Sequence, residues 1–139
     1  MLMLTLMVSV AGYAQTEIDG LYYNLDSKTK EAEVTYGEIS SDVVEIPSVV
    51  TYNGMEYKVT SIGNYAFKDE LSIKKITIPE SVTRIGNMAF RGTRITSITI
   101  PNSVNTLGDR AFEECYDLTS VTLSNSMTTI SDETFYNCI

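Results

Sequence analysis

Histidine and tryptophan are both missing from this chain of 139 residues. Without histidine there is no imidazole to move protons near neutral pH, no imidazole ligand for a metal, and no Ser-His or Cys-His nucleophile pair. Basic residues are scarce as well. Ten Lys and Arg stand against 18 Asp and Glu, for a formal net charge of −8 and a pI near 4.4. That balance repels phosphate backbones and anionic lipid headgroups, which argues against nucleic acid and membrane surfaces as partners. The two cysteines cannot make an ordinary zinc site without histidine. Asp109, Glu113, Glu114 and Asp117 lack the spacing of a calcium loop and read as a solvated edge. No phosphate-binding loop is present, so the chain reads as a non-enzyme with no cofactor.

What the chain does have is a period. Its four phenylalanines, Phe67, Phe90, Phe112 and Phe135, are spaced by 23, 22 and 23 residues. Ile62, Ile85, Leu107 and Ile130 precede them by five residues, and the pairs Ile76/Ile78, Ile98/Ile100 and Val121/Leu123 follow. A period of this length around an apolar-x-apolar core is the mark of a leucine-rich-repeat solenoid. The expected architecture is β-rich α/β. Each 22–23-residue coil carries one short strand and one short helical or 3-10 turn, and a β-hairpin cap precedes the coils. A lone coil buries too little to offset its ordering entropy, so the coils must stack.

The pattern divides the chain into three parts. Residues 1–14 read as a secretory signal peptide: Met1–Val10 is almost wholly apolar, and Ala11-Gly12-Tyr13-Ala14 supplies small residues for cleavage after Ala14. That run is too short to span a bilayer, so no membrane insertion is expected after its removal. Residues 15–61 read as an N-terminal β cap with a degenerate first repeat at Ile46-Pro47. Within the cap, Asn53-Gly54 between Val49–Tyr52 and Met55–Val59 predicts a type I′ hairpin. Residues 62–139 read as three full repeats and one truncated. The last copy stops short of the strand position held by Ile73, Ile95 and Leu118, which raises end-to-end self-association as an expectation.

Inside each coil, Asn64, Asn87, Asp109 and Asp132 fall two residues after the buried Ile or Leu, where a side-chain oxygen is expected to cap the turn of its own coil. The candidate ligand-binding face is the exposed side of the strands: Lys75, Ser97 and Ser120 in one ladder, Thr77, Thr99 and Thr122 in the other. β-Propensity alone also accounts for threonine there. Cys115 and Cys138 each stand three residues after a phenylalanine and should stack in adjacent coils. Two readings stay open for them, a disulfide or free buried thiols, with free thiols favoured. The five cap tyrosines, Tyr22, Tyr23, Tyr36, Tyr52 and Tyr57, are expected to pack the hairpins over the first coil.

The string Ile62-Gly63…Ala66-Phe67…Ile76-Thr77-Ile78-Pro79…Val82, with its copies from Ile85 and Leu107, resembles the BspA-like leucine-rich repeat of bacterial surface proteins. The third copy departs by placing Ser124 where proline stood, and the fourth by Ser131 for glycine and Thr134 for alanine. The resemblance implies a secreted or cell-surface binding module, adhesive in character, with a protein or glycan ligand on host or neighbouring cells. The alternative is a structural spacer or stalk whose functional domain lies beyond Ile139.

Overall fold

The structure, a computed structural model, describes residues 15–138; the expected signal segment and Ile139 lie outside the described residues. Its spine is the phenylalanine column. The rings of Phe67, Phe90, Phe112 and Phe135 stack face to face, with centroids 5.5, 5.1 and 5.5 Å apart and planes within 7°. That spacing is set by hydrogen-bonded strands of successive coils, which lie about 4.8 Å apart.

Two strand flanks enclose this spine. One is a continuous sheet. It begins with β1 (Thr16–Ile18), β2 (Leu21–Asp26) and β3 (Glu31–Thr35), and passes to β6 (Met55–Ile62), β8 (Arg84–Ile85) and β10 (Thr106–Leu107), while β5 (Val49–Tyr52) pairs with β6. The other flank consists of β4 (Val43–Glu45) with β7 (Lys75–Thr77), and β9 (Ser97–Thr99) with β11 (Ser120–Thr122). Each of the three full repeats thus carries two strands where the sequence suggested one. The second is only two residues long, too short to register as a strand pattern. Between the flanks, Ile62, Ile73, Ile85, Ile95, Ala66, Ala89 and Ala111 are fully buried with the rings.

The coil geometry starts earlier than the degenerate repeat at Ile46 implied. Val34 pairs with Ile62, and Ile62 with Ile85. The Gly63 amide donates to the Val34 carbonyl (2.7 Å) as the Gly86 amide does to Ile62 (2.8 Å) and the Gly108 amide to Ile85 (2.9 Å). On the opposite flank Val44 pairs with Ile76. Residues 34–46 therefore trace a coil of their own, its return path lengthened by the β5–β6 hairpin. That hairpin turns on Asn53 and Gly54, both at positive φ (50° and 74°), as a type I′ turn requires.

The expected helical or 3-10 turn does not form; no helix occurs among the described residues. The reason lies in the destination of the amides. Around Phe67 the N–H groups of Tyr65, Phe67 and Asp69 donate across to Asn87, Ala89 and Arg91 of the next coil, while those of Ala66, Lys68 and Glu70 donate back three residues. Alternation of this kind leaves single turns that never propagate into a helix. It is sustained by left-handed residues two before and two after the ring: Tyr65 and Asp69, Met88 and Gly92, Arg110 and Glu114. A residue at φ near +60° cannot continue a right-handed helix.

The Asn/Asp column also works across coils, not within one. Asn64 Oδ1 accepts the Asn87 amide (2.8 Å), and Asn87 Oδ1 accepts the Asp109 amide (3.0 Å). This ladder needs the coils very close together, which explains the glycine column. A Cβ on Gly86 would lie 2.6 Å from Asn64 N, and one on Gly108 would lie 2.4 Å from Asn87 N. In the fourth coil Ser131 brings such a Cβ. There, among the described residues, β10 acquires no partner beyond β8, and Ile130 is 42% exposed. The aromatic edge of that coil stays attached, since Phe112 and Glu114 donate to Thr134 and Tyr136.

Candidate functional site

The strand-face residues predicted from sequence form two exposed rows. Lys75, Ser97 and Ser120 occupy the first and Thr77, Thr99 and Thr122 the second, each flanking a residue turned inward: Ile76, Ile98 or Val121. Parallel pairing puts Ser120 beside Ser97 and Thr122 beside Thr99. The rows also extend one coil further back, because Val43 pairs with Lys75 and Glu45 with Thr77. Those two residues were missed, though Val43-Val44-Glu45-Ile46-Pro47 repeats the form of Lys75-Ile76-Thr77-Ile78-Pro79 and could have given them away.

The face is not one continuous sheet. Strand β4 is joined to β7 and β9 to β11, but β7 and β9 are not paired as strands. At this step Thr96 N–H bonds to the Lys74 carbonyl at 3.3 Å, just ahead of the strands. A crevice of about 290 Å³ opens there, lined by Lys75, Thr77, Glu80, Ser97, Thr99 and Pro101 over a floor that includes Ile76 and Ile98. It thus offers hydroxyls, one ammonium and one carboxylate, with backbone groups of two strands that do not serve each other. Its chemistry is that of hydrogen-bonded recognition. Among the described residues, no group of three His, Cys, Asp or Glu side chains is disposed to hold a metal ion.

The thiols stand away from this face, beside the phenylalanine column. Both are unbridged. The Cys115 thiol donates to the Phe90 carbonyl (3.1 Å) and the Cys138 thiol to the Phe112 carbonyl (3.0 Å), so each coil's sulfur is bonded to the coil before it. Thr93 holds the same repeat position, its hydroxyl donating to Phe90 O and lying 3.5 Å from the Cys115 sulfur. Burial pushes the Cys115 thiol up to about 11. Cys138 is only half-buried, a departure from the expectation of two buried thiols.

On the outer edge, charges join neighbouring coils. Arg91 reaches Glu113 (2.8 Å) and Glu114 (2.7 Å), Arg94 reaches Asp117 (3.3 Å), and Arg110 pairs with Glu133. The solvated acidic edge read from sequence is therefore partly a set of inter-coil ion pairs. The cap tyrosines divide: Tyr23 and Tyr57 are buried, Tyr22 and Tyr52 partly so, and Tyr36 faces solvent.

With this geometry in view, comparison with known proteins gives the following. A family model described as the BspA type leucine rich repeat region matches residues 38–139 in six copies. Among solved structures, a leucine-rich repeat protein from Eubacterium ventriosum ATCC 27560 is similar with TM-score 0.70 and 25% identity over 94% of this chain. The pneumococcal vaccine antigen PcpA shares the fold with TM-score 0.59 and 16% identity over 81% of the chain. A leucine-rich repeat protein from Bacteroides ovatus ATCC 8483 matches over 88% of the chain, with 29% identity and TM-score 0.49. The chain spans 32%, 38% and 44% of the length of those three proteins respectively. No curated protein matches it.

Proposed function

As the chain belongs to the BspA-type leucine-rich repeat family, we propose that it is a secreted or cell-surface binding module whose strand face holds an extended segment of a partner protein. The observation that carries this reading is the break in the strand ladder between β7 and β9. It coincides with the crevice in which four of the six candidate residues, Lys75, Thr77, Ser97 and Thr99, meet. An extended peptide laid across the break meets the hydroxyl rows, the Lys75 ammonium and the Glu80 carboxylate with its backbone groups and alternate side chains. In a surface-exposed protein such a face serves adhesion to host or neighbouring cells. The same stack also makes a stiff rod, and the continuous phenylalanine column supports a spacer as the second reading.

Selection from a random-peptide display library on the purified chain tests the proposal. Selected peptides should bind wild type and the remote Lys28→Glu variant alike, and should lose at least about tenfold in affinity on Lys75→Glu/Thr99→Arg. Equal binding to all three proteins removes the strand face as the site. Failure to recover any peptide favours the spacer.

A further inference from the structure

A second candidate lies where the cap meets the first coil. Tyr36, in the loop after β3, and Tyr65, in the turn before Phe67, are 51% and 47% exposed. With Lys68, Asp69 and Glu70 they line an open cleft of about 450 Å³. That volume is in the range of small-molecule sites. We propose that this cleft binds a neutral pyranose sugar, at a site separate from the strand face.

The repeat supplies its own control. Tyr65 holds the column occupied by Met88, Arg110 and Glu133 in later coils, and Lys68 holds that of Arg91, Glu113 and Tyr136. Side chains so unlike one another show that stacking imposes no tyrosine at Tyr65. The ring is nonetheless held: the Lys68 ammonium lies 5.8 Å from its centroid, and Lys68 pairs with Asp69 at 3.7 Å. Tyr36 is steadied through its neighbour. The Tyr22 ring packs so closely on Gly37 that a Cβ there would fall 1.8 Å from it.

Two exposed aromatic rings beside two carboxylates and an ammonium are complementary to a pyranose. Its C–H face is apolar and slightly positive, which suits the negative face of a phenol ring. Its equatorial hydroxyls donate to carboxylate oxygens and accept from ammonium. Charge selects the neutral sugars. Asp69 and Glu70 outnumber Lys68, Lys68 is already paired with Asp69, and the whole chain carries −8, so a sialylated or sulfated glycan is repelled.

Saturation-transfer NMR on the full chain tests the site, with methyl β-glucoside, methyl β-galactoside, methyl α-mannoside and N-acetylglucosamine as probes and sialyllactose as the anionic comparator. Transfer to at least one neutral sugar is expected, lost in Tyr36→Ala and Tyr65→Ala and kept in Tyr65→Phe, Tyr116→Ala and Lys75→Glu/Thr99→Arg. Stronger transfer to the matching β-linked oligomer than to the methyl glycoside marks a polysaccharide, not a free monosaccharide, as the source of the ligand. Absence of transfer to every neutral sugar overturns the proposal, as does transfer to sialyllactose alone. Loss only in Lys75→Glu/Thr99→Arg also overturns it, by moving the sugar to the strand face. Because the two tyrosines are solvent-exposed, far-UV circular dichroism of the alanine variants should match wild type, so that lost transfer reports binding and not folding.

Discussion

Replacing Gly108 by alanine separates two opposed physical expectations. Gly108 does not adopt a left-handed φ, so its backbone is open to alanine. On chain entropy alone, Gly108→Ala should stabilise the protein by roughly 0.4–1 kcal/mol. The stack dictates the opposite sign. The added Cβ would fall 2.4 Å from both Asn87 N and Gly86 C, which are backbone atoms of the preceding coil that no rotamer change can clear. Relief requires the coils to separate. That stretches the Gly108 amide bond to Ile85 (2.9 Å) and the Asp109 amide bond to Asn87 Oδ1 (3.0 Å), and it loosens the β8–β10 pairing. Two hydrogen bonds contribute about 1 kcal/mol each and overpacking costs about 1–3 kcal/mol, so a net loss of about 3 kcal/mol is expected after the entropy gain. For a domain of this size that lowers the melting temperature by about 10 °C. Urea titration and thermal melting followed by circular dichroism read the change. A midpoint equal to or above wild type would refute the claim that inter-coil approach sets these glycines.

The converse change is Ser131→Gly, which should let the fourth coil close onto β10 and cover Ile130. The gain is small, since burying a side chain 42% exposed contributes about 1–2 kcal/mol and glycine entropy removes about 0.5–1. Hydrogen exchange is therefore the better readout: amides near 129–132 should slow, and unchanged exchange there would show that something other than Ser131 holds the coil open. The thiols give a further prediction. At pH 8 iodoacetamide should modify Cys138 first and Cys115 only as the protein opens, because Cys115 is buried and its thiol is pushed from about 9 up to about 11. An unfolded thiol loses its proton near pH 9 while the folded one keeps it to about 11. The associated stability is thus fully present below pH 9 and lost as the pH rises through 11. Equal labelling rates for the two cysteines in the native state would sink this reading.

Much of the fold is legible in the sequence because a solenoid repeats its instructions. Phe67, Phe90, Phe112 and Phe135 declare the period, and Ile76, Ile98 and Val121 mark the inward strand positions without any long-range reasoning. Asn53-Gly54 likewise specifies its turn locally. What escaped notice depends on contact between coils. Nothing in the local sequence says that Asn64 bonds to the Asn87 amide of the next coil and not within its own. Nor does local propensity reveal that alternate amides around each phenylalanine leave the coil, which prevents a helix. Val34 was passed over as a coil position because the hairpin insertion breaks the period before Ile62. The candidate strand face was legible as a set of exposed positions. The unpaired step between β7 and β9, which gives that face a crevice, was not, because the same Lys/Ser-Ile-Thr string serves paired and unpaired strands alike.

Internal repetition also gives a way to weigh surface residues that a non-repeating fold lacks. Where packing dictates the residue, the column is uniform: phenylalanine in four coils, and glycine at Gly63, Gly86 and Gly108 until Ser131 breaks both the column and the ladder. The threonines at Thr77, Thr99 and Thr122 are uniform too, yet exposed, and strand propensity alone would keep them so. Uniformity therefore cannot distinguish a binding row from a solvated strand, and the break between β7 and β9 has to carry that argument. The column of Tyr65, Met88, Arg110 and Glu133 is the reverse case, since its variety shows that the stack is indifferent to what stands there. An exposed aromatic ring at an indifferent position, held by a lysine and lining one cleft with a second exposed tyrosine, is not accounted for by folding. The two candidate surfaces thus rest on opposite evidence, one on a regular row interrupted and the other on a free position filled. Variants at Lys75/Thr99 and at Tyr36/Tyr65 can accordingly fail or succeed independently.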